Sequence, residues 1–312
     1  MSFQNSRTSQ RYNQKHTRID QFLQKMDTII PWKEMVKIID NVREKSKIWR
    51  PQISTLILLK IVCIQQRYNL SDPAAEEKIY DSLAVQKFLD IDFVTDQIPD
   101  ETTICRFRKF LTDHNLQKVL FEDVINKKLE EKGLICKEWT IVDATIIEAS
   151  MSTKNKDKKR DEEMGFTKKR QKLHFWCKAH IWTDKNGIVH HLGFTAANVH
   201  DSKVVDPLLT WEEQEFYADS WYADQKREKE MKKKKVTTYI CRRAYKNKPL
   251  TEEDKRWNKM CSHIRAKVEW VFWVIKDKWW HRKVRYKGLK KNYMQRYLLC
   301  WLTNIYRMRN YL

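Results

Sequence analysis

Residues 139–147 read Trp139-Thr140-Ile141-Val142-Asp143-Ala144-Thr145-Ile146-Ile147. This β-branched run has the character of a buried strand. One charged residue interrupts it. An unpaired carboxylate in an apolar strand is costly. Asp143 therefore implies a salt bridge, a position at the strand's exposed end, or a bound metal ion. Downstream, residues 175–183, 188–196, 216–219 and 236–241 give further strand patterns. Asn186-Gly187, between the first two of these, is a hairpin signal. The stretch TKNKDKKRDEEMGFTKKRQK, residues 153–172, is charged and poor in apolar residues, and reads as a loop. Helical patterns fill the rest. Met294, Tyr297, Leu298, Trp301, Ile305 and Met308 recur at the spacing of one helix face packed on a core. The region from 138 to 312 is thus expected to be an α/β (α+β overall) catalytic-type domain.

Upstream the patterns are helical. Ser54-Thr55 opens an apolar stripe, and Ser71-Asp72-Pro73 opens a second helix. Residues 83–93 carry a third short pattern. Pro99-Asp100-Glu101-Thr102-Thr103 caps a helix carrying Ile104, Phe107 and Leu111. That helix also carries Arg106, Arg108 and Lys109, a basic face suited to docking on DNA or simply solvated. Four segments follow: a basic stretch 1–48 with weak helical patterning from 19 to 42 and a disordered start of eighteen residues; a helical domain 49–115; a connecting helix 116–137 ending near Gly133; and the domain 138–312.

Composition narrows the function. Of 312 residues, 62 are Lys or Arg and 41 are Asp or Glu, a net charge of +21. Such a surplus favours a polyanionic partner. The mean hydropathy of -0.74 and the absence of a long apolar run exclude a membrane span. The polar N-terminus has no signal-peptide core. None of the seven cysteines forms a C-x-x-C pair, so neither a zinc knuckle nor a redox motif is indicated.

Two more carboxylates join Asp143. Asp219 follows Glu215-Phe216-Tyr217-Ala218, at the end of a strand, where open α/β sheets place their chemistry. A turn-opening role is equally open. Glu269 lies in a helix whose buried stripe reads Ile264, Val268, Val271 and Ile275. Arg265, Glu269, Phe272 and Lys276 recur one residue on. An Arg265–Glu269 ion pair is one reading. The other is a carboxylate at a metal site, flanked by cations that grip phosphate. Three carboxylates in a basic protein suit two-metal phosphoryl transfer with Mg²⁺ or Mn²⁺, in a nuclease as well as in a strand-transferring enzyme.

The segments IVDATIIEAS, TAANVHDS, YADSWYADQ and RAKVEWVFWVIK, followed by RKVRYKGLKKN, resemble the transposases of the IS5 group of bacterial insertion sequences. The resemblance runs from about residue 49 onward, with motifs in the same order. It implies the DDE superfamily: an RNase H-like mixed sheet flanked by helices, preceded by a helical region that binds DNA. It places the catalytic, metal-holding triad at Asp143, Asp219 and Glu269, with two Mg²⁺ (Mn²⁺ able to substitute). Arg265, Glu269 and Lys276 meet the family's R-x3-E-x6-K signature, and Ser262 stands where a Tyr sometimes precedes it. Asp201, in His200-Asp201-Ser202, is expected to shape a turn. The implied partners are double-stranded DNA, both element ends and target, and a second copy of the chain. The implied setting is the bacterial cytoplasm, at the nucleoid. Candidate DNA contacts are Arg265, Lys276, Arg106, Arg108, Lys109, Arg242 and Arg243, with the basic segments 154–160, 168–172 and 232–235. A catalytically impaired DNA-binding remnant or repressor, and a nuclease without strand transfer, are the alternatives.

Glycine and tryptophan depart from that pattern. There are 5 glycines, against roughly 22 at average usage, and 13 tryptophans. Trp49, Trp139, Trp176, Trp182, Trp221, Trp273 and Trp280 stand where family members usually carry Gly. A single cause would be UGA codons that the source organism decodes as glycine.

Overall fold

The computed structural model describes residues 17–44, 52–93, 96–154, 156, 158–169, 172–245 and 248–309. Of the stretch expected to be disordered, residues 1–16 lie outside these, as does Trp49. Thr17 already caps the first helix, its side chain accepting from Asp20 N at 3.1 Å.

The N-terminal helices are α1 (Arg18–Ile29), α2 (Trp32–Val42), α3 (Thr55–Arg67), α4 (Asp72–Asp81), α5 (Leu83–Leu89) and α6 (Glu101–Asp113). Capping residues set the starts of α4 and α6. Ser71 accepts from Ala74 N, and Asp100 accepts from Thr103 N, satisfying amides that have no partner within the helix. α7 (Leu116–Val119) runs through a π-helical stretch, Leu120–Asn126, into α8 (Lys127–Glu131). Gly133 then turns the chain at φ +65°, a conformation that favours glycine.

The sheet comprises β1 (Trp139–Glu148), β2 (Gly165–Lys169), β3 (Lys172–Thr183), β4 (Val189–Ala196), β5 (Glu215–Ala218) and β6 (Thr237–Ile240). β3 lies antiparallel to β1, to β4 and to β2. β5 lies parallel to β1 on one side and to β6 on the other. Read across, the order is β4-β3-β1-β5-β6, with β2 extending the β4 edge. This is the mixed, helix-flanked sheet of an RNase H-like α/β fold. The loop expected over 153–172 is interrupted by β2. An edge strand needs little apolar surface, and here Phe166 packing on Phe175, centroids 4.8 Å apart, suffices. Gly165 is required by crowding, since a Cβ there would lie 2.8 Å from the Asn198 backbone.

Two helices close one face of the sheet: α10 (Glu252–Trp273), which passes through a π-helical turn Val274–Lys278, and α11 (Leu289–Met308). α9 (Gln225–Lys233) and short 3₁₀ turns close the other, over Val142, Trp182, Phe216, Tyr222 and Met231. α11 is not amphipathic in the expected way. From Met294 to Tyr306 every side chain is buried, because the helix touches β4 on one side and α3, α6 and α7 on the other. One apolar core therefore runs from Leu23 in α1 to Met308 in α11.

Candidate active site

Parallel pairing of β1 and β5 sets Ile141 opposite Tyr217. Side chains alternate along strands, so two residues further on Asp143 and Asp219 come side by side on the face that α10 covers. Asp219 also caps a 3₁₀ turn, Ser220–Tyr222, accepting from Ser220 N at 2.6 Å. Asp143 accepts from Ala144 N at 2.8 Å.

Arg265 of α10 reaches both carboxylates. Its Nη2 donates to Asp143 Oδ2 at 2.9 Å, and its Nη1 lies 3.8 Å from Asp219 Oδ1. Nη1 also donates to Cys241 Sγ at 3.7 Å. The Arg265 side chain is 10% exposed, against 17% for Asp143 and 36% for Asp219. Burial raises the Asp143 carboxyl above its ordinary range; Arg265 opposes this and Asp219 adds to it. Burial acts to lower the Arg265 guanidinium, but Asp143 and Asp219 outweigh it and hold it above its usual value. A buried cation thus sits where two strand-borne carboxylates converge. The helical pair Arg265–Glu269 does not form. Arg265 belongs to the buried stripe of α10, with Cys261 and Val268, while Ile264 is only half-buried.

Glu269 stands one turn further along α10 and is exposed. Lys276, in the π-helical turn, donates to Ile146 O of β1 at 2.6 Å. Among the described residues no three carboxylate, imidazole or thiol groups gather as a metal-ligand set. Asp143 and Asp219 fit a divalent cation by donor chemistry, since both are hard oxygen donors already drawn to one positive group. The structure does not bring Glu269 to them.

Behind the pair lies a second polar layer. His180 bonds Tyr222 Oη at 3.4 Å and Thr195 Oγ1 at 3.1 Å. Burial draws its imidazole down to about 4. Lys178 holds Asp201 Oδ1 at 2.7 Å and Val199 O at 2.8 Å. His200 Nδ1 accepts from Ser202 N, starting the 3₁₀ turn at Asp201. Sequence reading passed over Lys178, His180 and Tyr222. The available signal was two polar residues at alternate places, 178 and 180, in an otherwise apolar strand.

The remaining candidates divide by environment. Arg106 and Lys109 are exposed on α6. Arg108 is engaged inside the fold, paired with Asp72 and stacked over Tyr286 at 5.0 Å. Arg242 pairs with Asp254 at 2.6 Å, and Arg243 lies over Trp221 at 4.5 Å. Both are exposed. Of the basic segments, 232–235 is described in full; 154–160 and 168–172 are described only in part.

Comparison with known families agrees with this geometry. Residues 135–305 match the Transposase DDE domain, and residues 10–110 match the Transposase domain (DUF772). No solved structure matches the chain. The first match contains the whole sheet, α10 and nearly all of α11, and covers more than half of the chain. The chain belongs to the family of DNA transposases with a DDE catalytic domain.

Proposed function

We propose that this transposase is of the IS5 group, binds the terminal inverted repeats of its own insertion sequence, cleaves there, and joins the freed 3′ end to target DNA. The observation that carries the reading is the convergence of Asp143 and Asp219, from parallel neighbouring strands, on Arg265 of α10. Asp143 and Asp219 would hold Mg²⁺, and Glu269, exposed one turn along α10, would complete a two-ion site only by closing toward them. Bound there, the ions supply Lewis acidity for attack by water or the 3′ hydroxyl and for departure of the leaving oxygen. Arg265 keeps the two aspartates together against their mutual repulsion. Lys276 fixes β1 three residues beyond Asp143, through the Ile146 carbonyl. On this reading Arg265 and Lys276 would also draw the phosphate of a bound strand. Arg106 and Lys109 of α6, with Arg242 and Arg243 beside the Asp219 turn, supply positive surface for duplex phosphates. Two ends must be brought together, so the working form is a homodimer or larger.

The test is a cleavage and joining assay with labelled DNA carrying the element end and Mg²⁺. Nicked and joined products are expected from the chain, and none from Asp219→Asn. End binding without cutting would sink the catalytic reading. A non-cutting DNA-binding remnant is the second reading, favoured by the exposed Glu269 that stands apart from the aspartate pair. Nicking without joined product would instead indicate a nuclease.

A further inference from the structure

Beside the aspartate pair, two thiols from different elements meet. Cys241 follows β6, and Cys261 lies in α10. Hydrogen bonds press the end of β6 onto this helix. Trp257 Nε1 donates to Ile240 O at 3.0 Å, Asn258 Nδ2 donates to Arg242 O at 2.9 Å, and Arg242 N donates to Asn258 Oδ1 at 2.7 Å. One turn beyond Cys261, Arg265 Nη1 donates to Cys241 Sγ at 3.7 Å. Trp257, Cys261 and Arg265 recur every fourth residue, so they share one helix face. Cys241 is thus held over the turn that carries Cys261, and the Cys261 thiol hydrogen-bonds it. No C-x-x-C spacing announces the pair, because only the fold brings the two together.

The two sulfurs differ in the way a redox pair requires. Cys241 is half-buried and lines a cavity of about 390 Å³ with Ser220, Arg243 and Trp257, so a small oxidant can approach it. An attacking thiolate there has the Arg265 cation at its side. Cys261 is fully buried. Burial, with the Cys241 contact, holds its thiol up at about 11, which suits a partner that resolves rather than attacks.

We propose that Cys241 and Cys261 form a reversible disulfide, a modification site through which a peroxide acts on the aspartate centre. The Cys241 thiolate attacks one peroxide oxygen and the O–O bond breaks. The departing hydroxide takes up the proton that the thiol released and leaves as water. The Cys261 sulfur then attacks the sulfenic acid: the S–S bond forms, the S–O bond breaks, and the hydroxyl leaves with the Cys261 proton as a second water. Each thiol gives up one electron and the peroxide gains both. Two small thiols reverse the step by exchange, becoming a disulfide themselves. The bond matters because Cys241 is a third partner of Arg265. Drawn back one turn toward Cys261, the sulfur leaves Nη1, and Arg265 closes the 3.8 Å gap to Asp219. The cation then neutralises the carboxylates more fully and cleavage slows. That last step rests on the catalytic reading above; the bond itself does not.

The test uses the full folded chain without added metal, oxidised with a few equivalents of hydrogen peroxide, alkylated, digested and weighed by mass spectrometry. The expected product is one linked pair of peptides carrying Cys241 and Cys261, two hydrogens lighter than the free pair and released by dithiothreitol. The oxidised chain should unfold at higher urea, because the bond closes a loop of about twenty residues. Cys261→Ala should lose both the link and the urea shift. Cleavage of labelled DNA with Mg²⁺ should fall several-fold on oxidation and recover with dithiothreitol. A folded, oxidised chain without the linked peptides overturns the proposal, and so does a link from Cys241 to any other cysteine. A linked chain that cleaves as fast as the reduced one overturns the effect on the aspartate centre. A reduced chain that cuts nothing overturns the catalytic reading and that effect with it, while the peptide masses still decide the bond.

Discussion

Arg265 holds two carboxylates that would otherwise face one another in a poorly hydrated site. Removing it should leave Asp143 and Asp219 repelling each other. For Arg265→Met we expect a loss of about 2–4 kcal/mol in urea unfolding, somewhat below a fully buried pair because Asp219 is partly exposed. Millimolar Mg²⁺ should restore part of the loss, since a divalent cation supplies the missing positive charge. A stability unchanged by the substitution would remove Arg265 from its bridging role. Tryptophan gives a second residue-scale test. Trp280 has φ +58° and is 66% exposed, so its ring gains little while its backbone is in a glycine-favoured region. Trp280→Gly should stabilise the protein by about 1 kcal/mol, read from its thermal midpoint. Trp211 at φ +65° joins it, a position the family comparison of glycines had not singled out. Trp182 differs: it is fully buried, and its indole N–H has no partner among the described residues. We propose UGA recoding for these positions. UGG codons in the gene would dismiss it. The aspartates were legible because charge inside an apolar strand is conspicuous. Arg265's true partners were not, because they lie 122 and 46 residues away in sequence.

Among the elements, strands β1, β3, β4, β5 and β6 announced themselves by β-branched or aromatic residues. β2 did not, because an edge strand can be nearly all charge. The face of α10 was legible only approximately. Its π-helical turn shifts the phase of the residues that follow, and Arg265 takes a core place that hydrophobic counting assigned to Ile264. Helix α11 hid its orientation by being buried all round. Histidines fix several of these elements together. His281, in the connection between α10 and α11, donates from Nε2 to Gln66 O of α3 at 2.7 Å. Burial pulls His281 and His190 down to about 3. In the unfolded chain both take up protons below about pH 6.5, and in the folded chain they do not until about pH 3. Their contribution is full above about 6.5 and is lost as pH falls towards 3. At about pH 5 we expect a loss of up to about 2 kcal/mol for each imidazole. Urea midpoints across pH check this, and His281→Gln should flatten the profile. A profile equally steep in that variant would refute the assignment.

At the scale of the molecule, the helical layer and the sheet share one core from Leu23 to Met308. The proposed segments 49–115 and 138–312 were separated by composition, which is blind to a helix serving both. We expect the intact chain to unfold in one cooperative transition, followed by circular dichroism and tryptophan fluorescence together. Residues 138–312 produced alone should expose the α11 surface that α3, α6 and α7 cover, and should aggregate or melt without a sharp transition. Two separated transitions in the intact chain would contradict this. The burial of α11 on every side has a further consequence. Among the described residues α11 packs on both α6 and β4, so the vector between the cations of α6 and the aspartates of the sheet is set when the chain folds. A duplex held on α6 can then meet Asp143 and Asp219 only by conforming to that fixed frame. The compliance must reside in the nucleic acid, and flexible pyrimidine–purine steps near an element's end would be read as mechanical softness rather than as letters.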